Sequence, residues 1–329
     1  MKKSLSLALV LILVLTMSVA VFAADNQEAS FNLTYKLENA DTSNPAETFT
    51  FTFTNGQVTD AAAGTVAPSV PDATVSFDAG SATVDGLQKQ VSVALGGVTW
   101  PSVGIYTYDV TQKAGTTAGV TYSNVTAKLK VTVAWDEASS TYYTAFVTLS
   151  LADEDNDGQT DTKTANFENV YSAGSLSVTK NVAGNLGDRS KEFNVRVTFT
   201  APEASVVNST ISYVVDGETE TIAPVWDGNT ASVQIALHHE ETVTFTNIPY
   251  GVTYNVEEDS YKNDGYDTTY SDNKTGTIGK AADTVTITNT KGTDVDTGIV
   301  LDSLPYILLI AVALVGVVAF TAKKRTTDR

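Results

Sequence analysis

The chain has 329 residues, of which 42% are hydrophobic and 18% charged, enough for two globular domains. A formal net charge of −18 excludes a nucleic-acid partner, because nothing could neutralise a phosphate backbone. The absence of cysteine excludes disulfides, so an exported chain of this kind would need another chemistry for any covalent cross-link.

Met1-Lys2-Lys3, the apolar run Leu5 to Leu15 and Val21-Phe22-Ala23 predict a secretory signal peptide over residues 1–23. Beyond it, valine, threonine and tyrosine recur in alternating runs, and turn pairs such as Asn55-Gly56 and Asp216-Gly217 separate them. That pattern predicts an all-β protein built of sandwiches.

The first domain is expected over residues 24–173, with alternation in Phe49-Thr50-Phe51-Thr52-Phe53 and Tyr106-Thr107-Tyr108-Asp109-Val110. Gln112 shares the inward parity of Tyr108 and Val110, and Asn169 that of Phe167 and Tyr171. On the opening strand Phe31, Leu33 and Tyr35 point inward and Lys36 outward. Asp153, Asp155, Asp157 and Asp161 carry the spacing of a calcium loop, but Thr164 stands where a bidentate glutamate belongs. An acidic hairpin loop is the preferred reading, with calcium as the alternative and no other cofactor expected.

Tyr171 to Ser175 is too short for a flexible linker, so the second domain, residues 174–292, should sit end to end with the first. Its opening strand, Leu176-Ser177-Val178-Thr179-Lys180-Asn181-Val182, places a lysine on the apolar face. Glu258 shares the parity of Tyr254 and Val256, and Asn289 that of Val285 and Ile287. Three polar side chains therefore point into one core.

Two readings remain open. One is a buried Lys180–Glu258 ion pair beside a hydrogen-bonded Asn289. The other is chemical: desolvation disfavours both charges, and a neutral amine beside a carboxamide is a nucleophile beside an electrophile. With Glu258 shuttling protons, Lys180 would displace ammonia from Asn289. The only histidines, His238 and His239, are adjacent, cannot jointly ligate a metal, and are expected as an exposed pair in a charged loop.

Residues 293–329 hold Asp294-Val295-Asp296-Thr297-Gly298, an apolar run over 304–322 that predicts a transmembrane helix, and the basic tail Lys323-Lys324-Arg325. No nucleophile–histidine pair or phosphate loop suggests an enzyme; Glu258 would act once, on its own chain.

Leu176 to Lys180, Gly187 to Phe193, Val256 to Tyr261 and Ile287-Thr288-Asn289 resemble the second domain of streptococcal-type major pilins with isopeptide-linkage domains, and the resemblance runs through most of the chain. It implies two tandem immunoglobulin-like (Cna-B-type) sandwiches, a spontaneous bond between Lys180 and Asn289, and Glu258 as its catalyst. In the first domain it would pair Lys36 with Asn169, with Gln112 in place of the glutamate. A glutamine cannot transfer protons as a carboxylic acid does, so that domain is expected to be held by packing and neutral hydrogen bonds. Thr297-Gly298 resembles a sortase cleavage site, with Asp296 where a proline is usual, and Lys163 lies near the lysine that receives the next subunit. The expected partners are a sortase and further copies of the chain or other pilin subunits, at a Gram-positive cell surface. The alternative is an anchored adhesin that never polymerises.

Overall fold

The computed structural model describes residues 28–151, 166–218, 224–271, 273–292, and Leu309, Ile310 and Ala313, the last three helical. The signal-peptide segment, Asp153, Asp155, Asp157, Asp161, Lys163, Thr297, Gly298 and nearly all of 304–322 lie outside these. Among the described residues no helix is long and apolar enough to cross a membrane.

The first domain contains β1 (Glu28–Leu37), β2 (Glu47–Thr59), β3 (Ala73–Phe77), β4 (Leu87–Ala94), β5 (Gly104–Gln112), β6 (Val120–Thr121), β7 (Thr126–Asp136), β8 (Thr141–Leu151) and β9 (Asn166–Tyr171). They form a four-stranded sheet ordered β4-β1-β9-β6 and a five-stranded sheet ordered β3-β2-β5-β7-β8. Alternation decides which face is buried: in β7, Ala127, Leu129, Val131 and Val133 are buried while Lys128 and Lys130 are exposed. Phe31 from one sheet meets Phe51 from the other edge-on, 4.8 Å between ring centres, and Phe167 joins them.

The second domain contains β10 (Ala173–Ala183), β11 (Phe193–Thr200), β12 (Ser212–Val215), β13 (Trp226–Asp227), β14 (Thr230–Leu237), β15 (Thr242–Pro249), β16 (Thr253–Glu258), a 3-10 turn at Lys262–Asp264, β17 (Asp267–Tyr270), β18 (Thr275–Thr277) and β19 (Ala282–Thr290). Its sheets are ordered β12-β15-β10-β19-β17 and β13-β14-β11-β16-β18. The all-β, two-sandwich architecture read from the alternation is the architecture found.

In both domains the first and last strands are parallel neighbours, β1 with β9 and β10 with β19. The chain therefore enters each sandwich at one end and leaves at the other. Only Ser172 separates β9 from β10, and the junction is tied by hydrogen bonds. Ser172 N–H donates to Gly119, Tyr250 N–H to Ser172 and Ala118 N–H to Val206, while the Asn39 amide donates to Ala173 and the Asn247 carbonyl oxygen accepts from Ser43.

Asp216-Gly217 forms the expected tight turn, both residues at positive φ (46° and 78°). Asn55-Gly56 does not turn the chain. It lies inside β2 at a bulge against β5, where the register shifts between Thr54 and Gln57 and Asn55 takes φ 53°. An Asn-Gly pair supplies positive φ equally to a bulge and to a hairpin.

Candidate functional site in the second domain

Lys180 lies on β10, Glu258 ends β16 in the opposite sheet, and Asn289 is the penultimate residue of β19. Parallel pairing sets Lys180 beside Ile287 and Val182 beside Asn289, so Asn289 is the diagonal neighbour of Lys180 on one inward face. Lys180 and Asn289 are fully buried, and so is the Glu258 side chain. The period-2 reading of all three positions holds.

Lys180 Nζ is 2.8 Å from Glu258 Oε2, and Asn289 Nδ2 donates to Glu258 Oε1 at 2.6 Å. Glu258 thus bridges amine and amide. The Nζ also sits 4.4 Å from the ring centre of Phe193, which Tyr261 and Tyr266 flank edge-on. Neither the amine nor Asn289 Oδ1 makes an aligned hydrogen bond. Burial among these rings lowers the lysine pKa from its ordinary value, against the opposing pull of the Glu258 carboxylate.

This depression predicts a pH dependence in a variant that keeps Lys180 unbonded. In Asn289→Ala the unfolded lysine stays protonated up to its ordinary value while the folded one loses its proton at lower pH. Between the two values the unfolded state binds more protons, so stability should rise with pH through that window. Urea unfolding at a series of alkaline pH values measures it; a flat or falling profile would contradict the depressed amine.

Backbone contacts fix the lysine strand. Lys180 N–H donates to Glu241 and Glu240 N–H to Lys180, while His239 Nδ1 accepts the Val182 N–H at 3.0 Å. His239 is therefore not half of an exposed pair: its side chain is 13% exposed against 39% for His238. The pair lies in a turn, not on a strand, so alternation does not govern it. Sequence reasoning also passed over β17, too short to show a period. Thr268 Oγ1 donates to Glu258 Oε1 at 3.3 Å, and the Tyr270 hydroxyl accepts the Glu258 N–H at 2.9 Å.

The first domain holds the same positions with different chemistry. Gln112 Nε2 donates to Asn169 Oδ1 at 2.6 Å, Asn169 Nδ2 returns a bond to Gln112 Oε1 at 3.0 Å, and Ser123 N–H donates to Asn169 Oδ1 at 2.9 Å. Two buried amides satisfy each other. Tyr35, fully buried, packs 5.2 Å from Phe49 much as Lys180 packs on Phe193. The β1–β9 register instead sets Leu33 beside Phe167, as Lys180 lies beside Ile287, and Tyr35 beside Asn169. Neither position offers an amine. Lys36 is partly exposed and ion-paired with Glu168. Lys36→Ala should shift stability by less than about 1 kcal/mol and leave the intact mass unchanged apart from the substitution, as denaturation and mass spectrometry would show.

Among the described residues, no three His, Asp or Glu side chains come together as a metal site.

Residues 31–172 match the family described as the Spy0128-like isopeptide containing domain, and residues 174–291 match one described as a domain of unknown function, DUF7601. The chain is 30% identical over 256 residues to a pilin of Streptococcus pyogenes serotype M1, covering 69% of each chain. Its fold is similar to that of the S. pyogenes major pilin crystal structure, with a TM-score of 0.55 and 23% identity over 82% of this chain and all of that one. The T3.2 major pilin from the same species gives a TM-score of 0.55 at 21% identity, over 80% of this chain and 98% of that one. The protein is thus of the two-sandwich, all-β class of surface-fibre proteins. The chain belongs to the pilin family.

Proposed function

We propose that the chain is a pilus backbone subunit whose second domain is closed by an amide bond between Lys180 and Asn289, with Glu258 as proton shuttle. The observation that carries this reading is the buried bridge in which Glu258 lies 2.8 Å from the amine and 2.6 Å from the amide.

Lys180 passes a proton to the Glu258 carboxylate, leaving a neutral amine and a neutral acid that carries its proton on Oε1, the oxygen facing Asn289, in a desolvated site. A half-turn of the Asn289 carboxamide presents Oδ1, which lacks a hydrogen bond, to the Glu258 acid, and protonation there makes Cγ electrophilic. The amine adds to Cγ, Glu258 carries a proton from the attacking nitrogen to the amide nitrogen, ammonia leaves, and the Oδ1 proton returns to Glu258 as the new carbonyl forms. One C–N bond breaks, one forms, and no cofactor is required. The reaction runs once per chain, which is maturation without turnover.

The bond suits a fibre. Chain enters the domain along β10 and leaves along its parallel neighbour β19, so tension along the fibre shears the two strands. A Lys180–Asn289 amide would route that tension directly from β10 into β19, relieving residues 181–288 of load. The reading extends to sortase processing at Thr297-Gly298, acceptance of the next subunit at Lys163, and display on a Gram-positive surface. Expression with a cognate sortase should give a ladder of detergent-resistant multimers, and a monomer band alone would count against polymerisation.

A further inference from the structure

From β17 we infer that Thr268 is a positioning residue for the cross-linking reaction: its hydroxyl fixes the plane of the Glu258 carboxyl so that one oxygen meets Lys180 while the other meets Asn289. The inference rests on the isopeptide reading above and names a residue that reading does not use.

Glu258 has a demanding task. It must address an amine and an amide at once, from the last position of β16, across the sandwich from β10 and β19. A glutamate has three side-chain torsions, and the last is broad and roughly two-fold. Without a further contact, rotation about it would trade the Oε2–Lys180 approach for the Oε1–Asn289 approach, and the proton shuttle needs both in one geometry.

β17 supplies the restraint twice. Tyr270 holds the backbone by accepting the Glu258 N–H at 2.9 Å, and Thr268 holds the carboxyl by donating to Oε1 at 3.3 Å. Thr268 pairs directly with Asn289 across the β17–β19 ladder, so the strand that orients the acid is registered to the residue it must protonate. Thr268 and Tyr270 face inward at two-residue spacing, and Asp267 and Thr269 are exposed. The hydroxyl carries one hydrogen and donates it to a lone pair of Oε1. A second lone pair on that oxygen remains for Asn289, so Thr268 does not compete with the reactive contact. The Thr268 hydroxyl is hydrogen-bonded to Glu258, and it acts through that acid.

The test follows ammonia loss by intact mass in the full chain during cell-free synthesis, for wild type and for Thr268→Ser, Thr268→Ala and Thr268→Val. The expected result is that wild type and Thr268→Ser lose ammonia at similar rates, while Thr268→Ala and Thr268→Val lose it on the order of ten-fold more slowly or further. Ser and Ala differ by one oxygen at a partly buried edge-strand position, so that comparison holds even should Val disturb folding. A Thr268→Ala rate equal to wild type, or a Thr268→Ser rate as slow as Thr268→Ala, would overturn the positioning role. Ammonia loss in wild type but not in Glu258→Ala, measured alongside, upholds the isopeptide reading separately. Its absence from wild type would overturn that reading and the role of Thr268 with it.

Discussion

Glu258→Ala is expected to lower the unfolding temperature of the second domain by at least on the order of 20 °C in a calorimetric scan. Two effects combine. On the proposed reading the Lys180–Asn289 bond does not form without the carboxyl, and a constraint closing a loop of about 100 residues is worth roughly 4.7 kcal/mol in the chain-entropy account developed for disulfides. The substitution also strands the Lys180 amine among Phe193, Val178 and Val182 with its partner gone, and breaking a buried pair costs about 3–5 kcal/mol where the charge persists. Asn289→Ala separates the two, since it removes the cross-link and keeps the Lys180–Glu258 pair. It should unfold below wild type and above Glu258→Ala. Equal unfolding temperatures for wild type and Glu258→Ala would mean that no covalent constraint is present.

Asn169→Ala is expected to destabilise the first domain by roughly 3 kcal/mol without altering ammonia loss anywhere in the chain. Asn169 is fully buried and takes part in three hydrogen bonds, two with Gln112 and one with the Ser123 amide. Truncation leaves the Gln112 carboxamide and the Ser123 N–H without partners, and each buried unpaired group costs about 1–3 kcal/mol. The first calorimetric transition should fall by about 10 °C. If Asn169→Ala instead restored one ammonia to the mass, the first domain would be cross-linked, and Lys36 would have to turn inward from its ion pair with Glu168.

The buried triad of Lys180, Glu258 and Asn289 was legible in the sequence because side chains alternate strictly along a strand. A lysine in step with Leu176, Val178 and Val182 can only point where they point, and the same holds for Glu258 and Asn289. The first-domain counterparts, Gln112 in place of a glutamate and Asn169, were legible for the same reason, and the chemistry of the glutamine pointed to neutral hydrogen bonds there.

Features set by non-local pairing were not. Parity cannot distinguish Leu33 from Tyr35 as the counterpart of Lys180, because both point inward; in the structure the β1–β9 register matches Leu33 to that position, whereas the ring contact with Phe49 matches Tyr35. Nor does any local signal show that β10 and β19 are parallel neighbours. Asn55-Gly56 carries the same positive-φ chemistry in a bulge as in a turn. His239 joins the lysine strand through its ring nitrogen from a turn, where no periodicity operates. Thr268 and Tyr270 sit on a strand of four residues, below the length at which alternation can be read.

The most direct test of the central claim is the intact mass of the folded chain beside that of Glu258→Ala. The account predicts that the native chain is lighter than its sequence by one ammonia, with tandem mass spectrometry placing the linkage between Lys180 and Asn289, and that Glu258→Ala has the full mass of its sequence. A native chain of full sequence mass would contradict it, leaving Lys180 and Glu258 as a buried ion pair beside an unreacted asparagine.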